Sequence, residues 1–473
     1  MNRNLHVVLI GLALFSLHCG KPSTGTQGKT YGVEGDPDLQ QFRKTMALSQ
    51  SWVSSSDLPV TCVIVQGKVK CWGDNTEGQL GQGLSTSPLL ATNTSTNIYP
   101  FQSVQELPFV DLGWQENVVD ITVGYAHVCA LAEHGKVKCW GSQDLGQLGV
   151  AYSDSYIGDQ ATEMGFNLLS VDLGGLKAIQ ISAGFYHTCA LLEDHRIKCW
   201  GANDFGQLGT EDQNSYGTSP FPTGSNQPFT NVGSGKVIKV SAGGESTCVL
   251  FEAGDVKCWG INDFGKLGIG GVLGGYVGGQ VGDMGNNLPA IDVGGEKVID
   301  VEVGSFVSCV ILESGKSKCW GRNSVGQLGM DSLGDQGSGV GDIAAMSGIN
   351  VGGEKIASAS PSGYHSCVVL ASGNVTCFGG PGAGKLGYEN NDFVGNGSGT
   401  SVANAGYVAL GLISGEKVIE MASSYAHNCI KTNMDRIKCW GYNNVGQLGY
   451  GDFSQRGDAP GSMGLNLGVV EIE

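Results

Sequence analysis

Hydrophobic and polar positions alternate in short runs along most of this 473-residue chain, and glycine punctuates the runs. One stretch reads Val118-Val119-Asp120-Ile121-Thr122-Val123-Gly124, then Tyr125-Ala126-His127-Val128-Cys129-Ala130-Leu131. After Glu133-His134-Gly135 it continues as Lys136-Val137-Lys138-Cys139-Trp140-Gly141. Two-residue alternation of this kind predicts successive β-strands, and no long apolar stretch with helical spacing interrupts it. Related stretches recur every 58 to 67 residues. Length alone suggests about three domains, but repeated units share one continuous core, so the repeat takes precedence.

Fourteen of the fifteen cysteines fall into seven pairs: Cys62 with Cys71, Cys129 with Cys139, Cys189 with Cys199, Cys248 with Cys258, Cys309 with Cys319, Cys367 with Cys377 and Cys429 with Cys439. Trp-Gly follows the second cysteine in six copies, and Phe378-Gly379 in the other. A three-residue hairpin loop centred on His134 sets Cys129 directly opposite Cys139. Such a loop wants a left-handed residue in last place. Gly135, Gly254, Gly315 and Gly373 stand there, and His195 and Asp435 belong to the few other types enriched in that conformation. In the first copy the loop shortens to Gln66-Gly67 and the cysteine spacing shortens with it, so Cys62 still faces Cys71. Opposed Cα atoms lie about 4.5–5.5 Å apart, within disulfide range. A loop this short contributes roughly 2–3 kcal/mol per bridge on the chain-entropy model. Zinc needs four clustered ligands, usually with cysteines at closer spacing, so seven disulfides are the better reading. Regular pairing also places the chain in an oxidising compartment.

Adjacent Cys and Trp point to opposite faces of their strand. Both faces therefore carry bulky apolar groups, and each sheet must be covered by its neighbours. The expectation is an all-β, seven-bladed β-propeller with one intra-blade hairpin disulfide per blade. The C-terminal Met463-Gly464-Leu465-Asn466-Leu467-Gly468-Val469-Val470-Glu471-Ile472 echoes the stretch Met284–Gly294 that leads into the fifth copy. It is read as a strand of the first blade, closing the ring by joining N- and C-terminal strands and removing exposed edges.

After each Cys-Trp-Gly or its variant comes Gly-Gln-Leu-Gly, at 78–81, 146–149, 206–209, 326–329 and 446–449, or Gly-Lys-Leu-Gly at 265–268 and 384–387. Upstream stands Gly-x-x-His-x-Cys, as Gly124…Cys129 and Gly184…Cys189. Together these resemble the repeat of the regulator of chromosome condensation family over about residues 45–473. The resemblance implies a propeller that works as an interaction platform. A bacterial relative type, the propeller-form β-lactamase inhibitory protein, binds an enzyme across one face. The family's best-known activity is guanine-nucleotide exchange on a small GTPase, but no exchange wedge is matched residue by residue, and the family's basic tail has no counterpart here.

Arg3 precedes an apolar stretch from Val7 to Leu17, too short to span a bilayer, and Cys19 follows at once. This resembles a bacterial lipoprotein signal with Cys19 as the lipidated residue, although Ser16-Leu17-His18 departs from the usual pattern. The organisation expected is signal peptide 1–18, tether 19–45 and propeller 46–473. The location expected is the cell envelope, as an outer-membrane lipoprotein, or else secretion. A formal charge of −17 argues against nucleic acid or anionic lipid as ligand, leaving the anchor as the membrane contact.

His127, His187, His365 and His427 each precede the first cysteine by two, and are read as hydrogen-bonding within or between blades. Gly158-Asp159, Gly282-Asp283 and Gly341-Asp342 are solvated turns with calcium as the alternative. Arg456-Gly457-Asp458 is an integrin-type tripeptide of little specificity. In the longest connection, 82–116, the aromatics Tyr99, Phe101 and Trp114 are candidate partner anchors, packing under the loop being the competing reading. No catalytic residue, cofactor or metal is assigned. The function expected is a monomeric, non-enzymatic scaffold presenting loops to a protein or glycan partner. The alternatives are an exchange factor for a small GTPase and a secreted hydrolase or lyase.

Overall fold

The computed structural model describes residues 41–50, 59–84, 103–271, 275–397 and 399–472. They build seven antiparallel sheets in sequence, five of three strands and two of four. In the second sheet the inner, middle and outer strands are Val118–Val123, His127–Ala132 and Val137–Ser142, with Tyr156–Ile157 as a short fourth. Inner strands of consecutive sheets lie side by side. That of the seventh, Val418–Ser423, meets that of the first, Met46–Leu48, so the ring is closed.

The hairpins follow the spacing argument. In the first three sheets Cys62 is in register with Cys71, Cys129 with Cys139 and Cys189 with Cys199. In the next four Cys248 faces Cys258, Cys309 faces Cys319, Cys367 faces Cys377 and Cys429 faces Cys439. All seven pairs close as disulfides, with Cα–Cα distances of 4.0–4.1 Å. The strands therefore approach a little more closely at the bridges than the 4.5–5.5 Å expected for opposed residues. Gly135 has φ of 85°, and His195 and Asp435 adopt the same hand at 66° and 56°. Both Gln66 and Gly67 are left-handed, as a two-residue hairpin turn requires.

The blades are joined at their seams by side chains. Each buried tryptophan donates its indole N–H to a Gly-x-Leu-Gly carbonyl of the preceding blade: Trp140 to Gln79 O, Trp200 to Gln147 O, Trp259 to Gln207 O, Trp320 to Lys266 O and Trp440 to Lys385 O, all at 2.9–3.0 Å. Trp72 reaches Gln447 O at 2.9 Å and so spans the closure between blades one and seven. Phe378 has no N–H to offer, and Gln327 O keeps the Ser366 hydroxyl, the bond that Thr61, Thr188, Thr247 and Ser308 make beside the indole in other seams.

The C-terminal segment differs from expectation. Val470 N–H donates to Ile437 O, along the outer strand of blade seven, as Val171 does to Val137 O in blade two. Every repeat returns down the outside of its own blade, so the last returns down blade seven. It touches blade one through Lys70 Nζ, which donates to Ile472 O at 2.7 Å. The N-terminal end differs too. Phe42–Thr45, read as the end of the tether, are packed inside the ring, with Phe42 buried.

The ring has two distinct ends. Ala178 N–H donates to Gly135 O, which puts the disulfide hairpin loops where the inner strands begin. Lys266 Nζ donates to Gly243 O and Ser305 O, which puts the Gly-x-Leu-Gly turns where the inner strands finish. These ends are called the hairpin face and the turn face below.

Candidate functional site at the ring axis

In sheets two to seven a β-bulge follows the first residue of the inner strand, shifting register between Val118 and Asp120 and at equivalent points. The residues just past the bulge are Asp120, Gln180, Lys239, Asp300, Ser358 and Glu420. By simple alternation they would read as solvent-facing. Five of them instead engage the chain's own N-terminal segment or one another.

That segment runs up the axis from the hairpin face. Phe42 lies under Lys239, whose ammonium is 5.2 Å from the ring centroid, and its carbonyl accepts from Gln180. Arg43 Nε donates to Ile179 O at 3.0 Å. Lys44 N–H donates to Asp120 Oδ1 at 2.8 Å, and its ammonium pairs with Glu302 at 3.0 Å. Glu420 accepts the backbone N–H groups of Thr45 and Met46 at 2.8 and 2.9 Å. At the far end Gln50 donates to Ala183 O and Ala242 O and accepts from Gly244 N–H. One short strap thus touches blades two, three, four, five and seven while forming the inner strand of blade one. A cavity of about 80 Å³ remains in the channel.

The axial charges are compensated. Lys239 is 3% exposed and pairs with Asp300 and Glu302, so its pKa stays above the usual value although burial opposes this. Asp120 is pushed up to about 7 by burial, against the N–H groups of Ile181 and Lys44 that favour its charged form. Burial likewise raises Glu420, opposed by its bonds to Thr45 and Met46.

The turn face around the channel mouth is lined with aromatics. Phe264, Phe306, Tyr364 and Tyr425 meet edge to face at centroid distances of 5.9, 6.3 and 5.5 Å. Arg322 stacks 4.4 Å from the Tyr364 centroid. Across the mouth Tyr125 and Tyr186 meet at 5.5 Å. Glu245 lies beside them, its pKa raised to about 7 by burial and by Asp263 and Asp204, with the buried Lys266 opposing. Lys266 itself is lowered to about 7 by burial.

The residues singled out in the sequence are placed as follows. His127 and His187 Nε2 bond Thr188 and Thr247 of the next blade at 2.9 Å. His365 bonds Asn428 at 2.8 Å, and His427 bonds Thr61 at 3.0 Å across the closure. All four are fully buried and lowered to about 3 by desolvation, so they are neutral seam links. Trp114 packs under its loop, with Lys138 Nζ 5.4 Å from its ring centroid. Tyr99, Phe101 and Cys19 lie outside the described residues. Asp283 and Asp342 cap backbone N–H groups of their own turns, Gly278 and Gln280 for the first and Gly339 for the second. Among the described residues no group of three His, Cys, Asp or Glu is gathered for a metal. Arg456 stacks on Tyr450 at 4.0 Å and pairs with Asp452, so it is held against blade seven.

Two features escaped the sequence reading. The strap is one. The other is the lysine before the second cysteine in six copies, which alternation makes look solvent-facing. Its ammonium instead fixes the variable connection: Lys138 donates to Leu112 O and Gly165 O, Lys318 to Val293 O, Ile343 O and Ala344 O, and Lys438 to Leu467 O. The recurrence of Lys at this position was the available signal.

Comparison with known proteins agrees with this architecture. Models of the regulator of chromosome condensation (RCC1) repeat match residues 118–147, 178–207, 237–266 and 298–327, and, in a second form, residues 66–131 and 194–250. The chain is 27% identical over 418 residues to E3 ubiquitin-protein ligase HERC2 of Homo sapiens, covering 85% of this chain but 7% of that protein. It is 26% identical over 395 residues to the ultraviolet-B receptor UVR8 of Arabidopsis thaliana, covering 83% of this chain and 77% of that protein. Yeast RCC1 (Prp20), solved bound to Kap60, superposes with a TM-score of 0.59 at 16% identity, over 97% of this chain and 91% of that one. Human WBSCR16 superposes with the same TM-score at 19% identity, over 85% of this chain and 92% of that one.

Proposed function

The chain belongs to the RCC1 repeat family, and we propose that it is an exported, lipid-anchored binding scaffold that presents loops of a rigid propeller to a protein or glycan partner without catalysing a reaction. The observation that carries this reading is how the reactive residue types are used. Fourteen cysteines are closed in disulfides and four histidines are buried as neutral links between blades. What remains is a stiff ring with variable connections, and loops on a rigid repeat scaffold are where recognition concentrates. Relatives point the same way: yeast Prp20 was solved bound to Kap60, and another structure of it concerns its binding to Gsp1p and histones.

Export is supported by the apolar stretch before Cys19 and by seven disulfides, which persist outside reducing compartments. Among the described residues no helix is long and apolar enough to cross a membrane, so the reading gives membrane attachment to Cys19 lipid. The test is proximity labelling in cells with the full chain and with Cys19→Ala. A protein neighbour that recurs with the wild type and binds the purified ring supports the scaffold. Cys19→Ala should release the chain from the membrane fraction. Saturable nucleotide release from a purified GTPase, or turnover of a labelled neighbour, would replace the scaffold with an enzyme-like reading.

A further inference from the structure

Charge is distributed differently on the two faces. On the hairpin face basic side chains answer acidic ones in pairs: Lys136 with Glu116, Arg196 with Asp194, Lys236 with Glu252, Arg436 with Glu416. On the turn face, over blades one to four, stand Glu77, Asp144, Asp204, Glu245 and Asp263. Among the described residues none of these five is in an ion pair. Their mutual influence is repulsive. Burial raises the Glu77 pKa, a hydrogen bond with Ser142 opposes this, and Asp144 and Asp74 raise it further; burial raises Glu245 too, with Lys266 opposing and Asp263 and Asp204 adding to the rise. Lys266, the cation that opposes the rise at Glu245, is buried beneath the surface and donates to the carbonyls of Gly243 and Ser305.

Aromatic faces stand among these carboxylates. Half-buried Tyr186 feels the charges of Glu245 and Glu77, which both raise its hydroxyl pKa after burial and Tyr125 have done so. Its ring leans on Tyr125 at 47° and on Phe185 at 64°, with centroids 5.5 and 6.3 Å away. A cation over an aromatic face flanked by carboxylates gains from the ring quadrupole and from the charges together. The strap enters at the opposite end of the ring.

We propose that this acidic–aromatic quadrant of the turn face, centred on Tyr186, Glu77 and Glu245, is the docking surface for a lysine- or arginine-rich segment of a protein partner. The proposal deepens the scaffold reading and rests on it. Charge complementarity selects the occupant: among the described residues the five carboxylates are in no ion pair and only the buried Lys266 opposes their charge, at Glu245, and a glycan would leave them partly desolvated and largely unanswered.

The probe is a fluorescein-labelled peptide of alternating Lys and Gly, with a Glu-Gly peptide as control, followed by anisotropy against the intact oxidised protein. The Lys peptide should bind and the Glu peptide should not. Combined Glu77→Gln, Asp204→Asn, Glu245→Gln and Asp263→Asn should weaken the Lys peptide at least about tenfold. An equal charge removal on the hairpin face, Glu193→Gln, Asp255→Asn, Glu296→Gln and Glu313→Gln, should change affinity less than about twofold. Tyr186→Phe should keep binding, and Tyr186→Leu should weaken it about threefold or more. Equal losses from the two charge sets would reduce the effect to net charge and overturn the proposal, as would no binding of the Lys peptide. A protein neighbour that cross-links to the hairpin face would leave the scaffold reading standing and this one overturned.

Discussion

Six of the seven seams in the ring wall carry the same bond, an indole N–H to the carbonyl of the preceding blade's turn, whereas each contact along the axis occurs once. Trp140 and Trp320 do the same work in different blades. Glu420, Asp120 and Lys239 occupy equivalent strand positions, yet Glu420 holds Thr45 and Met46, Asp120 holds Lys44, and Lys239 pairs with its neighbours Asp300 and Glu302. The wall is built by repetition. The axis is built by divergence of the same repeated position, because a single asymmetric strap must be received by the inner strands of five other blades.

Breaking the wall everywhere should have the largest effect. Each hairpin disulfide contributes roughly 2–3 kcal/mol, so full reduction should unfold the ring cooperatively, seen as loss of near-ultraviolet circular dichroism. Cys309→Ser with Cys319→Ser should cost about 2–3 kcal/mol in denaturant titration. A wall that survived full reduction would place the strength in the axis instead.

The pH dependence should separate the two regions by sign. The four seam histidines are depressed from 6.5 to about 3 by burial. Their contribution is therefore complete above pH 6.5 and lost as pH falls toward 3. Asp120 is raised from 3.8 to about 7 by burial, so its contribution is complete below 3.8 and lost as pH rises through 7. Denaturant midpoints should thus fall in acid through the wall, and Asp120→Asn, which removes the opposing term, should steepen that decline between pH 4 and 7. An Asp120→Asn profile parallel to wild type would remove the axial part.

Glu420→Ala should strand two backbone N–H groups and cost about 2–4 kcal/mol. Hydrogen exchange should then quicken at residues 42–48 before it quickens in the middle strands. Uniform quickening would mean that strap and wall open as one unit.

The smallest effects test a single seam. Trp320→Phe should cost about 1 kcal/mol by removing the bond to Lys266 O. Phe378→Trp should give back a similar amount by supplying the missing donor to Gln327 O. Should Phe378→Trp destabilise the ring, the sixth blade has repacked around the smaller ring.

This division also explains what was legible in the sequence. Repetition announces itself, so the disulfide register, the left-handed His195 and Asp435 and the seven blades follow from spacing. The strap does not repeat and carries no compositional mark; Phe42 and Lys44 look like any polar linker with one aromatic. Asp120 and Glu420 sit at the polar phase of an alternating strand, and nothing local says that the exposed side of that strand is filled by another part of the chain. The C-terminal echo was real but its ownership was ambiguous, because each outer segment lies between its own blade and the next. On the turn face, Glu77 and Glu245 come from different points of the repeat and are far apart in the chain. Only the ring brings both charges to bear on Tyr186.

The route of the strap has a mechanical consequence. Tension applied to the chain ahead of residue 41 is delivered at the hub, where Ile179, Asp120, Glu302 and Glu420 share it among blades three, two, five and seven. A leash fastened at the rim would peel one blade away in succession; fastened at the centre, it loads the whole wheel in shear.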